Sequence, residues 1–167
     1  MRAFVRAAGR LSIVTNAIAL AMLPLLMLLT TADVVGRQLG ARPIKGVVEY
    51  SAFILVVAVW FAVAETQRED GHIRAELVLD RMSSRVRHLS GVLGGGLGLV
   101  VTLLLARGAY DLTRTSWDMG LLSDVARFPQ WIPQAAMALG ALALAVQLVA
   151  VVVGHAAALA GHGPREG

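Results

Sequence analysis

Four long apolar blocks constrain the fold of this chain more than any other feature. They cover residues 11–32, 47–64, 89–106 and 131–153, and Glu49 is the only charged residue inside them. A helix needs about 20 residues to cross the hydrocarbon core of a bilayer. Backbone groups in lipid must be paired within the protein, which a helix achieves by itself. The blocks therefore predict an all-α integral membrane protein with four transmembrane helices in one membrane domain, residues 1–167.

The composition agrees with a membrane location. Hydrophobic residues make up 57% of the chain and charged residues 16%, whereas a soluble domain averages about 45–50% and about 25%. The chain has no cysteine, which excludes disulfides, thiolate catalysis and cysteine-held metal clusters. The net charge of +4 comes from basic residues that all lie outside the apolar blocks. Such residues set membrane orientation and bind lipid headgroups, so the expected contacts are membrane lipids and not nucleic acid.

The distribution of Lys and Arg predicts how the chain is oriented. With four spans, the N-terminus, the middle loop and the C-terminus share one side of the membrane. These segments carry nine basic residues, and the two loops on the other side carry six. Because cytoplasmic segments are enriched in Lys and Arg, both termini are expected in the cytoplasm.

The middle loop contains a second helical pattern. Apolar residues recur at helical spacing between basic residues over about 73–88. This pattern predicts a cytoplasmic, amphipathic helix that lies in the membrane interface. His72, Glu76 and Asp80 are four residues apart, a spacing that metal sites also use. However, none of the four histidines is close to another in sequence and no H-E-x-x-H occurs, so we predict no metal site here.

Three charged residues lie near span ends. Asp33 and Arg37 are four residues apart, a spacing that allows an ion pair on a helix. Glu49 is costly in an apolar block unless it has a partner. Two interpretations of Glu49 remain open. It forms a structural ion pair with Arg37, Arg42 or Lys45, or it couples transport to a proton or cation.

Span three is rich in glycine. Gly91 and Gly95, and also Gly94 and Gly98, form G-x-x-x-G pairs, which allow two helices to approach closely. The pattern fits packing inside the chain and a seam between two copies equally well.

The region before span four carries aromatic residues and no catalytic pattern. Trp131, with Trp117 and Phe128, forms an aromatic belt that leads into the span, as is typical of a membrane interface. The chain has no nucleophile elbow, P-loop or dinucleotide fingerprint. Only His155 lies near a span, at its end, which argues against haem ligation. We therefore predict no enzymatic activity and no cofactor.

The order and spacing of these features resemble a known family. A D-x-x-x-R sequence ends span one, P-x-x-G-x-x-E leads into span two, and H-I-x-x-E opens the middle loop. The matching residues are Asp33, Arg37, Pro43, Gly46, Glu49, His72, Ile73 and Glu76, with Pro129 and Trp131 before span four. Together they resemble the small membrane subunit (DctQ type) of tripartite ATP-independent periplasmic (TRAP) transporters. The family more often has Asp at the position of Glu76.

The resemblance implies a role in transport. It implies a subunit of the bacterial inner membrane that packs against a large transport subunit, while a periplasmic solute-binding protein delivers the solute. Such systems are sodium-driven and import carboxylate-bearing solutes. On this interpretation the structural or subunit-interface residues are Asp33, Arg37, Glu49, His72, Glu76 and Trp131.

Three alternatives remain at this point. The first is an autonomous, oligomeric cation-coupled transporter that uses Glu49. The second is a membrane anchor for a redox complex. The third is the small subunit of a tripartite tricarboxylate transporter. A haem absorbance band distinguishes the redox anchor, and the identity of the partner distinguishes the last alternative.

Overall fold

The computed structural model describes residues 2–79 and 84–160, and this part of the chain folds into four α-helices. They are α1 (Arg2–Gln38), α2 (Val47–Leu79), α3 (Ser84–Asp118) and α4 (Trp131–Leu159). Each contains a stretch long and apolar enough to cross a membrane: Ile13–Gln38, Val47–Gln67, His88–Asp118 and Trp131–Leu159. The prediction of an all-helical protein with four candidate membrane-spanning helices is therefore confirmed.

The predicted interfacial helix over 73–88 is not confirmed as a separate element. Residues 73–79 continue α2, and residues 84–88 belong to the first turns of α3; residues 80–83 lie outside the described part. The prediction assumed a break near Gly71, but α2 continues through this residue. A single glycine costs a helix only about 1 kcal/mol, so an amphipathic pattern can extend a membrane helix instead of starting a new one.

Helix α4 lies at the centre of the bundle. It packs against α3 on one side and α2 on the other, and α2 packs against α1, which also contacts α4. The buried residues of α4 are mostly small, namely Gly140, Ala141, Ala143, Ala145 and Ala150. Because α2 and α4 both begin at the end of the bundle where α1 and α3 finish, they run parallel to each other. Small side chains on α4 allow its neighbours to approach closely.

Glycines of α3 form the contact with α4. A Cβ atom placed on Gly95 would lie 2.8 Å from Val152 Cγ2, and one on Gly98 would lie 3.6 Å from the Leu148 side chain. A Cβ atom on Gly91 would overlap the ring of His155, at 2.5 Å from Cδ2. The Gly91/Gly95 pair is therefore used for packing inside the chain.

The outer helices expose their apolar side chains. Leu28 on α1 and Leu97 on α3 are each 69% exposed. In a bilayer such surfaces contact lipid or another membrane protein. The bundle therefore presents two apolar flanks, with its most buried helix between them.

Candidate functional site

The charged residues singled out from the sequence lie mainly at one end of the bundle. This is the end where α1 and α3 finish and where α2 and α4 begin. Two connections lie here, residues 39–46 between α1 and α2 and residues 119–130 between α3 and α4. One acidic side chain holds each connection, Asp33 the first and Glu49 the second.

Glu49 binds the tip of the 119–130 connection. It stands in the first turn of α2. Its Oε1 accepts a hydrogen bond from the Val125 N–H at 2.9 Å, and its Oε2 accepts one from the Ala126 N–H at 2.7 Å. The sequence suggested a basic side chain as the partner, but the structure supplies backbone amides 76 and 77 residues further along the chain. Hydrogen bonds to a carboxylate are stronger than those between neutral groups, so Glu49 anchors this connection firmly.

Gly46 makes room for the same connection. Its φ of +75° is a backbone conformation that glycine adopts readily and other residues rarely do. A Cβ atom at this position would also lie 2.5 Å from Ala126 Cβ and 2.8 Å from Ala126 Cα. A glycine directly before α2 therefore allows both the turn into the helix and the close approach of the loop tip.

The 119–130 connection is a compact loop with its own hydrogen bonds. The Ser123 N–H donates to the Phe128 carbonyl at 2.9 Å, and the Phe128 N–H donates to Ser123 Oγ at 3.0 Å. The Gln130 N–H donates to the Leu121 carbonyl at 3.1 Å. Arg127, at the tip, has a left-handed φ of 54°. These bonds close the loop, and its turn presents two successive N–H groups to Glu49.

Aromatic rings pack beneath the loop. The Phe128 ring centroid lies 6.0 Å from that of Tyr50 and 5.3 Å from that of Phe53, both on α2. Trp131, the first residue of α4, lies edge-on to Trp117 near the end of α3 at 4.8 Å. Such aromatic pairs stabilise the fold by more than the burial of their apolar surface alone. The contact of Trp131 with Trp117 thus holds the start of α4 against the end of α3.

Asp33 binds both its own helix and the following connection. One carboxylate oxygen accepts a hydrogen bond from Arg37, and the other accepts one from the Ile44 N–H at 2.8 Å. Asp33 is 5% exposed, whereas Arg37 is 52% exposed. The ion pair suggested by the spacing therefore forms within α1, and Asp33 additionally ties the 39–46 connection back to the helix end.

His72 and Glu76 are separate from this cluster. Both lie on α2 beyond its apolar stretch, towards the opposite end of the bundle. Their side chains lie outside the part that the structure describes in detail. The structure therefore gives their position on a helix and does not bring them to Asp33 and Glu49.

Four polar residues emerge only in the folded chain. Glu65 and Gln147 are 5% and 7% exposed, and His88 Nδ1 lies 3.2 Å from His155 Nδ1. Glu65 directly follows the second apolar block, so its burial was not visible in the sequence. The histidines are 67 residues apart in sequence. Their contact follows from the packing of α3 against α4, which the sequence alone does not show. Within residues 2–79 and 84–160 no group of three or more His, Cys, Asp or Glu is placed to hold a metal ion.

Asp33 and Glu49, together called the clamp, bind two connections of the chain itself. Both carboxylates accept backbone N–H groups from the two connections. Unpaired N–H groups near lipid are costly, and a carboxylate is a strong acceptor that removes this cost. At this end the two carboxylates thus hold the α1–α2 and α3–α4 connections against the helix ends.

A comparison with protein families decides what kind of chain this is. The model of the family described as "Tripartite ATP-independent periplasmic transporters, DctQ component" matches residues 26–158, well over half of the sequence. The chain belongs to the DctQ family. No curated protein and no solved structure gave a significant match.

The DctQ match includes both clamp residues and the other site residues singled out from the sequence. Asp33, Arg37, Glu49 and Trp131 lie inside residues 26–158, as do His72 and Glu76. The resemblance drawn from these residues is thereby confirmed: the chain is a small membrane subunit of a TRAP transporter. A DctQ component is a non-enzymatic part of a transport system, which agrees with the lack of catalytic motifs.

Proposed function

We propose that this DctQ chain is the scaffold subunit of a sodium-driven transporter that imports carboxylate-bearing solutes. It packs against the large TRAP membrane subunit in the bacterial inner membrane, with both termini in the cytoplasm. A periplasmic solute-binding protein delivers the solute. The observation that carries the proposal is that Asp33 and Glu49 bind the chain's own backbone.

The use of these acids supports a scaffold more than a transport pathway. Ionisable groups in membrane spans usually mark ion or substrate routes. Here the Glu49 carboxylate binds two amides through its two oxygens. Transporters also commonly use broken helices near the bilayer midplane. Each of the four helices of the described region is continuous. The solute and sodium sites are therefore expected on the large subunit.

The outer surface suits a subunit that packs against another membrane protein. On α3, four large apolar residues form one strip at helical spacing, Leu93, Leu97, Val100 and Leu104. Each of them is more than half exposed. In lipid, helices associate through close packing rather than through a hydrophobic driving force. A regular apolar flank of this kind supports contact with a larger membrane subunit and with lipids.

The rival function is an autonomous oligomeric transporter that uses Glu49 for cation coupling. It requires that Glu49 release the 119–130 connection during each cycle, so that the carboxylate becomes available to a cation. The two functions therefore differ in what the isolated chain does. A scaffold transports nothing alone, whereas the rival transports alone and loses transport in Glu49→Gln.

Co-purification and reconstitution test the proposal together. We would tag the chain, solubilise its native membranes in mild detergent and identify the proteins that co-purify, with the untagged strain as control. A larger, very hydrophobic protein in stoichiometric amount is expected. Vesicles containing both proteins, with the binding protein outside, should then take up a carboxylate solute under a sodium gradient. Vesicles with this chain alone should not.

Two results would contradict the scaffold. One is recovery of the chain alone as a homo-oligomer. The other is cation-coupled uptake by vesicles of the purified chain that Glu49→Gln abolishes, which would establish the rival function.

A further inference from the structure

Two histidines meet at the end of the bundle opposite to the clamp. His88 lies in the second turn of α3, and His155 lies four residues before the end of α4. Their Nδ1 atoms are 3.2 Å apart, and their ring centroids are 5.5 Å apart. Both side chains are half-buried. The pair thus joins the two most closely associated helices near the edge of the candidate membrane spans.

The position of His155 depends on a glycine of α3. A Cβ atom on Gly91 would lie 2.5 Å from Cδ2 of His155 and 2.7 Å from both Cγ and Nε2. The imidazole therefore rests directly against the α3 backbone, one turn after His88. A Cβ atom on Gly94, in contrast, would meet nothing within 4 Å. Helix α3 thus provides one imidazole and the space that places the other.

The separation of the two nitrogens suits a shared metal ion. Zn²⁺ binds imidazole nitrogen at about 2.0–2.1 Å, so two ligands at a tetrahedral angle are about 3.3–3.4 Å apart, and at a right angle about 2.9 Å apart. The observed 3.2 Å lies between these values. We propose that His88 and His155 form a two-histidine binding site for a borderline divalent transition-metal ion such as Zn²⁺.

Without metal, the same two atoms share a hydrogen bond in which one Nδ1 carries a proton. Metal binding requires both Nδ1 lone pairs, so that proton moves to the Nε2 of the same ring, which remains neutral. Neutral imidazole is the form that binds Zn²⁺, Cu²⁺ and Ni²⁺. The site takes these ions and not Mg²⁺, which prefers oxygen ligands.

The site has two protein ligands among the described residues, because no group of three His, Cys, Asp or Glu occurs there. Water completes the coordination, so the ion is exchangeable and bound less tightly than in a four-ligand structural site. A bound ion holds the start of α3 to the end of α4. It therefore stabilises the packing that Gly91 and Gly95 establish, independently of the scaffold function.

Metal titration of histidine variants tests the site. The full chain, purified in mild detergent with the proteins that accompany it and stripped of metal, is titrated with Zn²⁺ and separately with Mg²⁺. We expect one Zn²⁺ per chain and no Mg²⁺ binding. His88→Gln and His155→Gln should each weaken Zn²⁺ binding by about tenfold or more, because each removes half of the protein ligands.

A glycine pair tests placement while both imidazoles are kept. Gly91→Ala should weaken Zn²⁺ binding several-fold, because its methyl group displaces the His155 ring. Gly94→Ala is the matched control on the same helix and should have no effect. The electron paramagnetic resonance spectrum of Cu²⁺ bound to the unaltered chain provides a test that needs no variant, since two imidazole nitrogens split its lines.

Three results would overturn the site. They are no stoichiometric Zn²⁺ binding by the unaltered chain, binding that both His88→Gln and His155→Gln retain in full, and a Cu²⁺ spectrum with fewer than two imidazole nitrogens. The last decides the matter even if a variant fails to fold.

Discussion

At the residue scale, two carboxylates both bind backbone N–H groups of a connection, one near in sequence and one far. Asp33 binds Arg37 and the Ile44 N–H within one local segment. Glu49 instead binds amides that arrive from the other half of the chain. A charged acceptor near an apolar block is costly unless it is fully hydrogen-bonded, and here the backbone of the loop supplies the donors. This explains how an acid is tolerated at the edge of span two.

Glu49→Gln should loosen the 119–130 connection. The amide retains one acceptor oxygen but replaces the other with an NH₂ group, which faces a backbone N–H and cannot accept from it. The loop should therefore detach from the start of α2 more often. Trypsin cleavage after Arg127, at the tip of this loop, measures that opening, and we expect the fragment beginning at Phe128 to appear several-fold faster.

Asp124→Asn is the matched control for this change. Asp124 lies in the same loop and is exposed, so removing its charge should leave the cleavage rate as it is. Equal cleavage rates for Glu49→Gln and the unaltered chain would show that Glu49 does not hold the loop.

At the scale of elements, backbone contact between helices depends on glycine. Gly140 on α4 faces the backbone of α2, and a Cβ atom there would lie 2.5 Å from the Trp60 carbonyl oxygen. A flexible side chain can move away from an added methyl group, but a carbonyl within a helix cannot. The contact between α2 and α4 at Gly140 therefore tolerates an added methyl group less well than the contact of Gly98 with the Leu148 side chain.

Gly140→Ala should separate α2 from α4 and lower the free energy of unfolding by about 1–3 kcal/mol, the usual cost of overpacking. Gly154→Ala, on the same helix, meets nothing within 4 Å. It should be neutral or stabilise the helix by up to about 1 kcal/mol. Thermal unfolding in detergent, followed by tryptophan fluorescence, measures both. Similar unfolding temperatures for the two variants would contradict the close contact at Gly140.

At the scale of the whole molecule, the helix order produces a bundle with a buried centre and two apolar flanks. Helix α4 contacts α3 and α2, and α1 lies beyond, against α2 and in part α4. The clamp and the histidine pair lie at opposite ends. If the positive-inside rule orients this bundle, the clamp faces the periplasm and the histidine pair faces the cytoplasm.

Cysteine labelling tests this orientation cleanly, because the chain has no cysteine of its own. Val125→Cys marks the clamp end and Val86→Cys the opposite end, and both side chains are exposed. A maleimide that passes the outer membrane but not the inner membrane should label Val125→Cys in intact cells. It should label Val86→Cys only after the inner membrane is opened. The reverse pattern would place the termini outside the cytoplasm.

The middle loop is where the sequence-based prediction and the structure differ. The periodicity over 73–88 predicted one separate helix, and the structure does not confirm it, although the described residues of this range are helical. Residues 73–79 extend α2 and residues 84–88 open α3. Periodicity reports which faces are apolar, whereas continuity depends on whether the backbone turns, and a lone glycine leaves both possibilities open.

The sequence by itself determined the class of fold, the number of candidate spans and a spacing that allows Asp33 and Arg37 to pair. These follow from the length of apolar runs and from helical spacing, which are properties of neighbouring residues. Only the tertiary structure decided the partners of Glu49, the burial of Glu65 and Gln147, and the meeting of His88 with His155. Such contacts join residues far apart in the chain, and they depend on which helices pack together and in what register. That choice is made by close packing at glycines such as Gly91 and Gly140, because in lipid no difference in hydrophobicity selects one helix pair over another.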